Sequence, residues 1–193
     1  MINVNTKTAR LAAVFGCAIT LGLSVLAAAA PAHAGTVTPD ATSSHTFVLV
    51  NQASGYCMGI EGGSSTVGTD AVQWNCNGNP DQQWSIRSID NVNGLAYFQI
   101  ENNDNLCLGV AGGSATEGAG LVGFTCLGTN HQDQWWEFNS GPVNNSPCPG
   151  YIYLQNLKDG YVIGTQGGSL AEGAHLVQWK FQNTCNNQWW DNE

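Results

Sequence analysis

Cysteine carries the plainest chemistry in this chain. Cys57 and Cys76 lie 19 residues apart, Cys107 and Cys126 also lie 19 apart, and Cys148 and Cys185 complete the set behind the leading segment, which holds Cys17. Thiols can ligate a metal or cross-link. The wide spacings, with no Cys-x-x-Cys and no His-rich cluster, do not fit a zinc site. Six cysteines in an exported chain read instead as three disulfides, so no metal and no cofactor is expected. The shared spacing pairs Cys57 with Cys76 and Cys107 with Cys126, leaving Cys148 for Cys185, and each bridge should add about 3 kcal/mol on the loop-entropy model. Catalytic constellations are lacking in the sequence. His45, His131 and His175 fall at unrelated places, no Gly-x-Ser-x-Gly occurs, and no carboxylate pair recurs at a plausible cleft.

The remaining chemistry is non-covalent. Only 10% of residues are charged, the net charge is −9, and Gly, Asn, Gln, Ser and Thr are abundant. Nucleic acid and anionic membranes demand clustered Lys and Arg, and no such cluster exists. Export is expected from the first 34 residues: Lys7 and Arg10, an Ala- and Leu-rich run from Leu11 to Ala30, then Ala32-His33-Ala34 as a small-x-small cleavage signature. Cleavage there leaves no membrane span and a secreted protein beginning at Gly35, with 35–45 as a polar leader.

Elements that could position these groups repeat three times. Gln82-Gln83-Trp84, Gln134-Trp135-Trp136 and Gln188-Trp189-Trp190 share a Gln-x-Trp pattern, and the spacing is 52 residues from Trp84 to Trp136 and 54 from Trp136 to Trp190. Ahead of each triplet the same blocks recur in order: a β-rich opening (Thr46 to Asn51, Tyr97 to Asn102, Tyr151 to Asn156), then Cys57-Met58-Gly59, Cys107-Leu108-Gly109 or Val162-Ile163-Gly164. Next comes Gly-Gly-Ser at 62, 112 and 167, then a second apolar block ending near Trp74, Phe124 and Trp179. Each block is short, aromatic or β-branched, and bounded by turn formers, which predicts about twelve short strands and no sustained helix. The class is all-β, one domain over 46–193, in repeats 46–96, 97–147 and 148–193, joined at turns such as Asn91-Val92-Asn93-Gly94. Val162 and Phe181 stand where the third repeat would carry the bridge.

This threefold arrangement of Cys-x-Gly, Gly-Gly-Ser, Val-Gln-Trp-x-Cys and Gln-x-Trp resembles the ricin B-type lectin domains over residues 46–191. The resemblance implies a β-trefoil: a pseudo-threefold six-stranded barrel closed by three hairpins, with one shallow sugar pocket per repeat. A neutral sugar needs an aromatic face and fixed hydrogen-bonding groups beside it. The family's aromatic position gives Trp74, Phe124 and Trp179. Its usual Asp, two residues after the first Cys, is replaced by Gly59, Gly109 and Gly164, and a second polar position reads Val72, Val122 and Val177. Substitutes stand nearby. Asp81, Asp133 and Asn187 precede the triplets, while Glu61, Asn75 and Gln166 lie in adjoining loops. The expected order of pockets is the first repeat (Trp74, Asp81, Glu61, Asn75), then the third (Trp179, Asn187, Gln166, Lys180), then the second (Phe124, Asp133).

The triplet residues Gln82, Trp84, Gln134, Trp136, Gln188 and Trp190 are expected to be architecture, with Trp in the core and Gln on buried backbone groups. Strand alternation should turn the middle residues Gln83, Trp135 and Trp189 outward. The function expected is non-catalytic carbohydrate binding. A trefoil with decayed sugar sites that binds protein, as an inhibitor or toxin subunit does, is the alternative. The sugar, the oligomeric state and any partner stay open at this level.

Overall fold

In the computed structural model, residues 45–140 and 146–193 are described; the expected signal segment and nearly all of the leader fall outside them. Among the described residues, twelve antiparallel strands make up the domain, four per repeat. The first repeat contributes β1 (Leu49–Asn51), β2 (Cys57–Ile60), β3 (Thr69–Trp74) and β4 (Trp84–Val92). The second contributes β5 (Leu95–Asn102), β6 (Cys107–Val110), β7 (Leu121–Phe124) and β8 (Trp136–Asn139). The third contributes β9 (Tyr153–Asn156), β10 (Val162–Thr165), β11 (Leu176–Trp179) and β12 (Trp190–Asn192).

Outer strands of the repeats close a six-membered ring. β4 pairs with β5, β5 with β8, β8 with β9, and β12 with β1, while the bridges Phe47–Trp84 and Ile152–Trp190 supply the two remaining joints. A closed ring leaves no free edge within the barrel wall. The inner strands form the hairpins β2–β3, β6–β7 and β10–β11, tied to each other by the β3–β7 ladder and the bridges Val72–His175 and Gly120–Val177. This is the β-trefoil.

Repetition extends into the core. Trp84, Trp136 and Trp190 are fully buried, and layers of three such as Leu49, Ile100 and Leu154, or Met58, Leu108 and Ile163, fill the axis around them. Each Trp indole N–H donates to a strand carbonyl: Trp84 to Met58 and Trp136 to Leu108, both at 3.1 Å, and Trp190 to Ile163 at 3.4 Å. Each triplet Gln is buried and clamps the loop before it. Gln134, for instance, accepts from the Leu127 N–H and donates to the Thr125 carbonyl, both at 2.8 Å. Cys57–Cys76, Cys107–Cys126 and Cys148–Cys185 are bridged, with Cα separations of 5.1, 5.0 and 4.9 Å. The third repeat has no bridge at the 19-residue position; there Phe181 stacks on Tyr153 with ring centroids 4.2 Å apart.

Two details differ from the sequence reading. Asn91 and Val92 are strand, because β4–β5 is one long hairpin whose turn is only Asn93-Gly94, both at positive φ (53° and 84°), the two-residue turn that matches strand twist. Trp135 and Trp189 point inward, not to solvent. Alternation assumes a continuing strand, whereas Trp135 directly follows a 3-10 turn at Gln132–Gln134 that resets the chain direction. Trp189 is covered by Tyr153 and Phe181, and its indole N–H donates to the Thr184 carbonyl at 2.9 Å.

Candidate functional site

Each repeat assembles the same corner. A β-strand ends at Ile60, Val110 or Thr165 and runs into a one-turn 3-10 segment: Glu61–Gly63, Ala111–Gly113 or Gln166–Gly168. The two glycines of each segment adopt φ near +60°, which only glycine does cheaply, and so the loop folds tightly enough to leave a hollow. Over the hollow lies the side chain preceding Gln-x-Trp. A Cβ placed on Gly59 would stand 2.6 Å from Asp81 Oδ2, and one on Gly63 3.6 Å from Asp81 Oδ1. Asp133 lies likewise over Gly109 and Gly113, and Asn187 over Gly164 and Gly168. The three glycines at the family's Asp position are therefore the space into which the opposite wall sends its own polar group.

Backbone contacts fix that group. Asn51 donates from Nδ2 to the Asn187 carbonyl at 2.8 Å, and Asn156 does the same to Asp133 at 3.1 Å, each reaching from the following repeat in the cyclic order.

Aromatic platforms complete the corner. Trp74, Phe124 and Trp179 are exposed at 46, 38 and 42%. Exposed rings normally move, but Trp179 rests against Gly118 of the second repeat and Trp74 against Gly173 of the third, each ring edge 3.1 Å from where a Cβ would stand. The supporting turns are bonded into place: the Gly118 and Gly173 N–H groups donate to the Gln178 and Gln73 carbonyls, both at 2.8 Å. Gln178 and Gln73, buried beside the platforms, donate from Nε2 to two carbonyls each of those same turns. In the second repeat Gly123 replaces this Gln, because a Cβ there would lie 2.9 Å from both Ile60 Cδ1 and Leu106 Cδ1. Thr69 substitutes locally, its hydroxyl donating to the Thr66 carbonyl at 2.8 Å.

The repeats differ in the space and the polar groups they present. A cavity of about 300 Å³ in the third repeat is lined by Thr165, Trp179, Gln182 and Asn187 over Gly164, Gly167 and Gly168. One of about 250 Å³ in the second is lined by Phe124, Leu127, His131 and Asp133 over the matching glycines. In the first repeat Asp81 is only 4% exposed, and its Oδ2 accepts from the Ile60 N–H at 3.2 Å. A carboxylate turned inward onto backbone is a poor reader of ligand. Glu61 and Gln166 sit exposed at the starts of their 3-10 turns; Asn75 is exposed and its N–H donates to Glu172 of the third repeat at 3.2 Å. Lys180 pairs with Glu117 at 3.3 Å. The clamps Gln73 and Gln178 escaped the sequence reading, although their recurrence just before the platform Trp was a usable signal.

Burial raises the Asp81 carboxyl above its usual range, the bonds from the Ile60 and Asp81 N–H groups oppose this, and Asp104 adds to the rise. The folded chain thus binds this proton more tightly than the unfolded one. The ionised form works against folding at neutral pH, and that penalty fades as pH falls through the folded-state value. Asp81→Asn should be at least as stable as the parent at pH 7, with the advantage vanishing toward pH 3. Urea unfolding of both proteins at the two pH values checks this, and a variant less stable than the parent at pH 7 would refute it.

Among the described residues no three His, Cys, Asp or Glu side chains are grouped to hold a metal ion. Comparison with known proteins gives one family match: the model described as ricin-type beta-trefoil lectin domain-like, over residues 36–124. No curated protein sequence matches. Among solved structures, the designed threefold-symmetric protein ThreeFoil aligns at 23% identity over 76% of this chain and 96% of its own, with a TM-score of 0.65. An exo-β-1,3-galactanase from Clostridium thermocellum aligns at 27% identity over 80% of this chain, TM-score 0.65, and the chain spans only 30% of that enzyme. The ricin B-like lectin of Macrolepiota procera, solved with lactose, aligns at 14% identity over 79% of this chain and 96% of its own, TM-score 0.59.

Proposed function

We propose that this chain, which matches the ricin-type β-trefoil lectin-like family model over residues 36–124, is a secreted, non-catalytic carbohydrate-binding protein that takes neutral sugar units in its third repeat. One observation carries the reading: the Trp179 ring, open on one side and held by Gly118 on the other, lines a cavity whose remaining polar side chains are uncharged. A sugar's C–H face packs on such a ring, and its hydroxyls find the side-chain Oδ1 of Asn187, the Thr165 hydroxyl and the Gln182 amide. Pre-positioning the ring removes part of the ordering cost of binding. The lactose-bound fungal lectin and the galactanase make galactosides the first sugars to test.

Titration with lactose and soluble galactans, followed by Trp emission, tests the proposal. Trp179→Ala should weaken binding about tenfold or more, the scale of losing a buried aromatic contact, while far-UV circular dichroism stays unchanged. No response to any glycan in the parent protein would sink it. The protein-docking alternative draws on Ile86, Ile89 and Leu95, exposed together on the β4–β5 hairpin. It gains only if the sugar titrations are silent and Ile89→Ser removes capture of a secreted protein.

A further inference from the structure

The pockets of the second and third repeats share a backbone and differ in charge. In the third, the strand ends in Thr165, and Asn187 donates from Nδ2 to the Thr165 hydroxyl at 2.7 Å and to its carbonyl at 3.2 Å. Asn187 thus spends its amide N–H groups on its own wall and keeps Oδ1, an uncharged acceptor, for the pocket. In the second, the strand ends in Val110, which has no hydroxyl, and the covering residue is Asp133. The Asp133 carboxylate is half-buried, lies 3.6 Å from the Cβ position of Gly109 and 3.5 Å from that of Gly113, and makes no side-chain hydrogen bond or ion pair among the described residues. The Lys158 ammonium, from the third repeat, stands 3.6 Å from the same Gly113 Cβ position and donates to the Gly113 carbonyl, so it flanks the carboxylate without bonding to it. Phe124 and Leu127 form the apolar wall of the same cavity, with His131 also lining it.

A half-buried carboxylate whose oxygens accept no hydrogen bond gains from a cation that brings its own donors. An aromatic face beside it adds to the attraction for an ammonium. We propose that the second repeat is a subsite for a sugar unit bearing a protonated amine, and that the residue preceding Gln-x-Trp sets this choice, Asp133 for the charged unit and Asn187 for the neutral one. The inference rests on the carbohydrate-binding reading above and assigns the ligand class of a second pocket. A polysaccharide in which some units carry free amines would engage both repeats at once.

Calorimetric titration with oligosaccharides of glucosamine, with their N-acetylated counterparts and with lactose tests it. The parent should bind the free-amine oligomer about tenfold or more tightly than the acetylated one, a preference that weakens with added salt. Asp133→Asn should abolish that preference, and an unchanged far-UV circular dichroism spectrum and denaturation midpoint show that the variant is folded. Asn187→Asp should extend amine preference to the third repeat, so that the Asp133→Asn, Asn187→Asp pair regains it. Lactose binding with equal affinity for the two oligomers, or an amine preference that survives Asp133→Asn, overturns the inference and leaves the neutral-sugar reading standing. Binding of none of these ligands overturns both.

Discussion

Trp136→Ala should lower the unfolding free energy by about 3–5 kcal/mol, the range for removing a large buried aromatic side chain. The ring has no solvent exposure and belongs to the central cluster, so the surrounding layers cannot collapse into the gap without breaking their threefold register. The substitution also leaves the Leu108 carbonyl without its indole donor inside the barrel, a further cost of about 1–3 kcal/mol where no water can enter. Trp136→Phe separates the two effects, keeping most of the packing and losing only the bond. Urea unfolding followed by circular dichroism measures both, and an alanine variant within about 1 kcal/mol of the parent would contradict this account of the core. Trp84 and Trp190 occupy equivalent places, and their alanine variants should behave alike.

Removing the second-repeat disulfide, by Cys107→Ala with Cys126→Ala, should cost about 3 kcal/mol, since its loop of roughly 20 residues gains that much freedom in the unfolded chain. The paired strands β6 and β7 would remain, because Cys107 faces Phe124 across a ladder that does not depend on the bridge. A shift in denaturation midpoint with a changed slope would place the effect in the unfolded ensemble. The third repeat shows that the corner can be built without this link. A loss below about 1 kcal/mol would mean that the hairpin and the Gln134 clamp already hold the loop closed.

Spacing made the fold legible. A triplet and three β-rich blocks recurring in order define twelve strands, and equal cysteine intervals select one pairing of fifteen. Proximity between blocks was not legible. Gly59 in isolation reads as a lost carboxylate, and only the folded corner shows Asp81 filling its place from 22 residues downstream. The inward turn of Trp135 was hidden for a related reason, since a three-residue 3-10 turn carries no periodic signal long enough to detect. The change from Val110 to Thr165 looks conservative in sequence, yet it gives Asn187 a hydroxyl to bond that Asp133 lacks.

Cyclic backing of the platforms sets a lower bound on the functional unit. Trp74 leans on the third repeat and Trp179 on the second, so neither indole is supported by its own fifty-residue segment. An isolated copy of one repeat would carry every residue of a pocket and still lack the surface that steadies its ring. The same copy assembled as a homotrimer would recover three supported rings at once. The rigidity of the platforms is thus an emergent property of ring closure.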